Sequence, residues 1–166
     1  MTIQDSIIYE YNNYLSFIHR SPQYESVEDC PSENVGLSAR MPVRATPDEL
    51  GAATLEAMRR YGEIRPEFPI WELGKLRRKL CTWTGAKSYA DLQKNSRIVI
   101  AMTDTSRGTI QLIPFDNSNM NPWESMLVDK IAELPIDIEA RALGAHFIKV
   151  FGHTTYHPDR KHPHWT

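Results

Sequence analysis

The sequence predicts a single α+β domain built on a central, largely antiparallel β-sheet flanked by α-helices. Three stretches carry that expectation. Residues 46–61 hold a complete set of helix signals; residues 97–103 form a nearly unbroken apolar run, as in a strand covered on both faces; and residues 7–19 mix aromatic and β-branched side chains around an Asn12-Asn13 pair, the composition of a hairpin. At 166 residues the chain suits one domain, expected over residues 1–152, with a His- and Pro-rich tail over 153–166.

The first hairpin is broken by Ser21-Pro22. Residues 23–34 are polar and acidic, contain Pro31 and show no periodicity, so a surface loop is expected. Over residues 35–43, Val35, Leu37, Ala39, Met41 and Val43 alternate with Gly36, Ser38, Arg40 and Pro42, which predicts a strand. Pro42 has no N–H for a ladder and places that strand at an edge, or itself at the strand's end.

The helix at 46–61 is the best formed in the chain. Thr46 can cap its first turn, Pro47 sits where a missing N–H costs nothing, and Glu49 closes a capping box. Arg59 and Arg60 meet the negative end of the dipole, and Gly62 suits the left-handed position beyond it. Leu50, Ala53, Thr54, Ala57, Met58 and Tyr61 form one stripe, to be laid on the sheet, and no residue of that stripe supplies chemistry.

Pro66 and Pro69 make residues 63–70 a connection. Leu73, Leu76, Leu80 and Trp83 predict a helix over 71–83 with a basic opposite face, stopped by Gly85, and Ser88 caps a short helix that ends near Asn95. The strand at 97–103 passes through turn composition at 104–108 to a partner at 109–115, followed by a polar loop at 116–121. Asn121-Pro122-Trp123-Glu124 repeats the capping logic of residues 46–49, so a helix is expected from there to Leu134, ended by Pro135. A last helix is expected over 137–151, ended by Gly152, and the tail reads as a surface extension. Leu50-Gly51-Ala52 and Leu143-Gly144-Ala145 echo each other. Glycine inside a helix costs roughly 1 kcal/mol against alanine, so both placements point to close approach of another backbone.

The composition narrows the function classes. A net charge of −2 does not supply the concentrated basic face that nucleic acid requires, although Lys75, Arg77, Arg78 and Lys79 form a local basic cluster and Glu25, Glu28, Asp29 and Glu33 an acidic one. Cys30 and Cys81 have no CxxC spacing, which implies reduced thiols and a soluble, cytoplasmic setting, and no apolar run is long enough to span a membrane. His153, His157, His162 and His164 lie among prolines with no other ligands on defined elements, so no metal is expected. The motifs for dinucleotides, phosphates, serine hydrolysis and zinc proteolysis are absent, and no cofactor is implied. His19 and His146 are isolated in sequence, and Cys81 reads as a core thiol.

The segments PDELGAATLEAM, KSYADLQKNSRIVIAM, TIQLIPF and ALGAHFIKVF, in that order, resemble the CdiI-type immunity proteins of bacterial contact-dependent growth inhibition systems over about residues 35–151. The resemblance implies a cytoplasmic, non-enzymatic protein that binds the C-terminal toxin domain of a cognate CdiA protein, often a nuclease, and blocks it. No toxin-binding residue transfers from those motifs. Because nuclease grooves are generally basic, Glu25, Glu28, Asp29 and Glu33 are the first candidates for the contact and Asp116 the next. Two other classes stay open: an enzyme whose His19, His146 or Cys81 converge in space, and a nucleic-acid-binding regulator using Lys75, Arg77, Arg78 and Lys79.

Overall fold

The computed structural model describes residues 3–22, 32–66, 72–118 and 125–160. The elements are β1 (Ile3–Tyr11), β2 (Tyr14–Pro22), β3 (Ser32–Pro42), α1 (Pro47–Arg59), α2 (Leu73–Thr84), α3 (Tyr89–Asn95), β4 (Ser96–Asp104), β5 (Thr109–Asp116), β6 (Ser125–Met126), a 3₁₀ turn (Val128–Lys130), β7 (Ala132–Pro135) and α4 (Ala140–Phe151). The strands form one sheet in the order β3-β2-β1-β4-β5-β6, with β7 also on β5, and every described pairing is antiparallel. This is the α+β architecture that the sequence predicts.

The β1–β2 hairpin turns at Asn12 and Asn13, whose φ angles of 52° and 62° are the left-handed conformation that asparagine tolerates. At the start of α1 the Glu49 N–H donates to Thr46 Oγ1 at 3.3 Å and the Thr46 N–H donates to Glu49 Oε2 at 2.7 Å, completing the capping box. Helix α2 stops at Gly85, which adopts φ 80°, and α3 starts on Ser88, whose hydroxyl accepts from the Asp91 N–H.

Both faces of the sheet are covered. On one, α1 and α4 bury Leu50, Ala57, Met58, Leu143 and Phe147 against Ile8, Phe17, Val99 and Leu112. On the other, Leu80 of α2 and Leu92 of α3 pack with Ile7, Tyr9, Ile18 and Ile98. β4 therefore presents Val99 and Ala101 to one core and Ile98 to the other, which explains its unbroken apolar run.

Helices α1 and α4 meet through their glycines. A Cβ on Gly51 would collide with the Ala140 carbonyl, and one on Gly144 would collide with the Pro47 carbonyl and lie 2.9 Å from the Gly51 nitrogen. The echoed Leu-Gly-Ala triplets thus mark one helix–helix contact, each glycine admitting the other helix's backbone.

Three expectations need correction. No helix is formed over 125–134: β6, a 3₁₀ turn and β7 occupy that stretch, and the expected cap at Asn121 lies outside the described residues. Ala132 and Leu134 pair with Leu112 and Ile110, so the outer edge of β5 is hydrogen-bonded and the same apolar positions serve a period of two instead of a helical one. Met126 and Val128 remain 52% and 69% exposed, where a helical stripe would have buried the first. Strand β3 begins at Ser32 because β2 runs on to Pro22 and pairs with it, and the even alternation from Val35 to Val43 is broken. Register shifts between Phe17 and Ile18 and between His19 and Arg20 send Leu37 to the α2–α3 core, while Ala39, Met41 and Val43 pack under α1. The chain after Gly152 packs back on the domain through residue 160, with Thr154 and His157 buried, instead of running over the surface.

Gly144→Ala should destabilise the fold by roughly 3 kcal/mol or more, since a backbone carbonyl cannot give way as a flexible side chain does. Chemical denaturation checks this, with Gly74→Ala as the control, because a Cβ on Gly74 meets nothing within 4 Å.

Candidate functional site

Of the five carboxylates singled out in the sequence, Glu25, Glu28 and Asp29 lie outside the described residues. The other two are committed within the fold. Glu33 lies in β3 opposite Ser21 and is only 6% exposed, with neither carboxylate oxygen hydrogen-bonded among the described residues. Burial pushes its carboxyl above the usual range, against the pull of the Arg20 guanidinium. Asp116 ends β5, and its Oδ1 accepts from the Ser118 N–H at 2.9 Å and the Thr155 hydroxyl at 2.5 Å. Hydrogen bonding from the Ser118 side chain first, then from Thr155 and the Ser118 N–H, holds its carboxyl below the usual range.

His19, Cys81 and His146, the residues of the enzyme alternative, lie in separate surroundings. His19 is buried in β2 with Nδ1 2.9 Å from Ser38 Oγ and its ring covered by Gly36, and burial lowers its pKa. Cys81 sits on α2 and His146 on α4, helices on opposite faces of the sheet. Burial, and then the Asp91 carboxylate, raise the Cys81 thiol pKa, the reverse of what a nucleophile needs. Among the described residues no group of three His, Cys, Asp or Glu side chains could hold a metal, and no helix is long and apolar enough to cross a membrane.

The described surface holds a sizeable recess. It opens between α2 and α3 with a volume of about 620 Å³, and Arg77, Arg78 and Lys87 line it with no carboxylate among the described lining residues. All three are exposed. The Arg77 guanidinium lies 4.5 Å from the centre of the Tyr89 ring, which fixes its direction. At the rim, Arg40 of edge strand β3 stacks on Tyr14 at 4.3 Å, and its Nη2 is 3.4 Å from where a Gly85 Cβ would lie. The basic helix face predicted from the sequence is therefore half of this feature. The rest comes from Lys87 in the loop between α2 and α3 and from Arg40 of β3, neither of which belongs to the helical spacing.

A second polar constellation also escaped sequence reasoning. Glu10, 1% exposed, accepts from the Tyr156 hydroxyl at 2.6 Å and from Arg97 Nε at 3.2 Å. The Arg97 guanidinium lies between the Phe151 and Tyr156 rings at 4.2 and 4.4 Å, and Arg160 stacks on Tyr156. Burial, then the Glu10 hydrogen bond, push the Tyr156 hydroxyl up to about 12. This network pins residues 153–160 to the sheet; charge satisfaction, not apolar periodicity, holds the segment.

No protein-family model matches the sequence, and no curated protein matches it. Solved structures do match. A chain of a CdiA-CT/CdiI toxin and immunity complex from Yersinia pseudotuberculosis superposes with a TM-score of 0.64 at 12% identity, over 90% of this chain and 95% of that one. In fold, the chain resembles the CdiI-type immunity proteins. A protein of unknown function from Neisseria meningitidis shares the fold too, with a TM-score of 0.63 at 17% identity over 90% of this chain and 93% of that one. The shared fold thus extends over nearly the whole of both matched chains.

Because the folded pKa of Glu33 lies above its ordinary value of 4.5, its carboxylate adds no cost below that pH, and destabilises the fold increasingly as pH rises through the window up to the raised value. Glu33→Gln should therefore raise the melting temperature at pH 7, by an amount on the order of 1 kcal/mol of stability, and the gain should vanish near pH 4. Thermal melts across that range check it. A variant less stable than wild type at pH 7 would show a carboxylate held by an attractive partner.

Proposed function

We propose that this chain is an immunity protein that binds the C-terminal toxin domain of a cognate CdiA protein in the bacterial cytoplasm and neutralises it without being an enzyme. The observation that carries the reading is the shared fold with the CdiA-CT/CdiI complex, which spans nine-tenths of the chain rather than a common substructure. The placement of His19, His146 and Cys81 supports it, since His146 and Cys81 lie on helices at opposite faces of the sheet and His19 is enclosed beside Ser38 and Gly36. A protein of this kind acts by complementarity, and its specificity lies in surface charge and shape held by a rigid scaffold.

The toxin is read as a nuclease, whose basic groove would meet outward carboxylates. Glu25, Glu28 and Asp29 are proposed for that contact. Glu33 and Asp116 suit it less well, because each carboxylate is already buried or hydrogen-bonded inside the domain. Neither direct nucleic-acid binding nor membrane association is part of this reading.

The test is protection. When the chain is co-produced with the C-terminal domain of a large secreted filamentous protein encoded immediately upstream, cells should survive a toxin that otherwise halts growth, and the two purified proteins should co-elute as a complex. Loss of viability despite abundant folded chain, or the absence of any such upstream gene, would contradict the reading.

A further inference from the structure

Building on the immunity reading, we propose that the basic recess between α2 and α3 receives a carboxylate-bearing segment of the toxin partner. Its chemistry has the opposite sign to the acidic contact expected from the sequence. Three exposed cations, Arg77, Arg78 and Lys87, line an open volume of about 620 Å³ with no carboxylate among the described lining residues, and Arg40 stands at the rim. A cluster of this kind repels itself in the free protein, and an acidic insert relieves that repulsion while pairing each cation.

Two of the guanidiniums are already oriented. Arg40 is stacked on Tyr14 and Arg77 on Tyr89, so less side-chain entropy is lost when their N–H edges fork a carboxylate than would be lost by free arginines or lysines. The same stacking selects among anions. Arg77 covers a face of Tyr89, the one aromatic side chain among the described lining residues, so that face offers a nucleobase no platform. The chain's net charge of −2 further disfavours an extended phosphate backbone, whereas a short acidic loop or strand tip meets only the local positive potential.

Specific positions follow. Arg78 and Lys87 carry the exposed charge; Arg77 and Arg40 carry the directional hydrogen bonds. Thr82 and Ser88 are committed to their own helices, since the Thr82 hydroxyl donates to the Arg78 carbonyl and the Ser88 hydroxyl accepts from the Asp91 N–H, so the cations dominate recognition.

The experiment measures, by fluorescence anisotropy at low salt, binding of a labelled decaglutamate peptide and of a labelled single-stranded DNA decamer, and, by calorimetry, binding of the upstream-encoded toxin domain. The proteins compared are wild type, Arg77→Glu/Arg78→Glu/Lys87→Glu, the milder Arg78→Glu/Lys87→Glu that leaves Arg77 on Tyr89, and Lys149→Glu on the opposite face. The proposal expects decaglutamate to bind wild type more tightly than the DNA, both recess variants to lose at least tenfold in affinity for peptide and toxin, and Lys149→Glu to stay within twofold on both. Tighter binding of DNA than peptide, or toxin affinity unchanged in the folded double variant, overturns it. Failure of wild type to bind the toxin while the peptide pattern holds would sink the immunity reading and leave an acidic-segment site; the reverse pattern would sink the recess and leave the immunity reading.

Discussion

Everything on one side of the sheet depends on the contact between α1 and α4 at Gly51 and Gly144. Helices whose backbones approach this closely have no room for a Cβ at the crossing, so two residues of low helix propensity are accepted inside otherwise well-signalled helices. Intimate approach gives the pair a fixed relative position. Leu50, Ala57, Leu143 and Phe147 then reach the sheet as one apolar surface instead of two independent stripes, and Phe17, Phe147 and Phe151 are brought into aromatic contact, with ring centres 6.1 and 5.9 Å apart. Because α4 ends beside β4, the same contact also fixes where the following segment returns, and so where Tyr156 meets Glu10 and Arg97.

The two faces consequently do different work. The α1–α4 face is dense, apolar and closed off by a satisfied buried network in which Glu10 is matched by Arg97 and Tyr156. The α2–α3 face packs a smaller core and leaves an open recess lined by Arg77, Arg78 and Lys87. The proposed immunity role would use both properties, since a rigid support keeps the cost of ordering low on binding while the charged surface sets encounter and specificity.

The sequence was most informative where local chemistry decides local structure. The capping box at Thr46 and Glu49, the Asn12-Asn13 turn, the stop at Gly85 and the β4–β5 hairpin are all set by a few neighbouring residues, and each is found as expected. The glycine echo was legible too, because its cost demanded a compensating contact. What was lost is non-local. The stretch from Ser125 to Pro135 has apolar spacing compatible with a helix, but the free edge of β5 recruits Ala132 and Leu134 into the ladder. The bulged register of β2 and β3 reversed the facing of Leu37, and no pattern within one strand announces the partner's register. In the candidate site, only Arg77 and Arg78 of the basic run Lys75, Arg77, Arg78 and Lys79 line the recess, while Lys87 joins them from the loop after α2 and Arg40 reaches the rim from β3, which helical spacing does not show. Glu33 read as a surface acid because its neighbours are polar; the long pairing of β2 with β3 buries it.

The measurement that bears most directly on this account is hydrogen exchange of the chain alone and with the toxin domain added. The account predicts added protection in α2, α3 and the adjoining edge of β3, with α1 and α4 equally slow in both states because their contact is complete before binding. Protection that rises only in α1 and α4, or no change in any element with the toxin domain in excess, would contradict it.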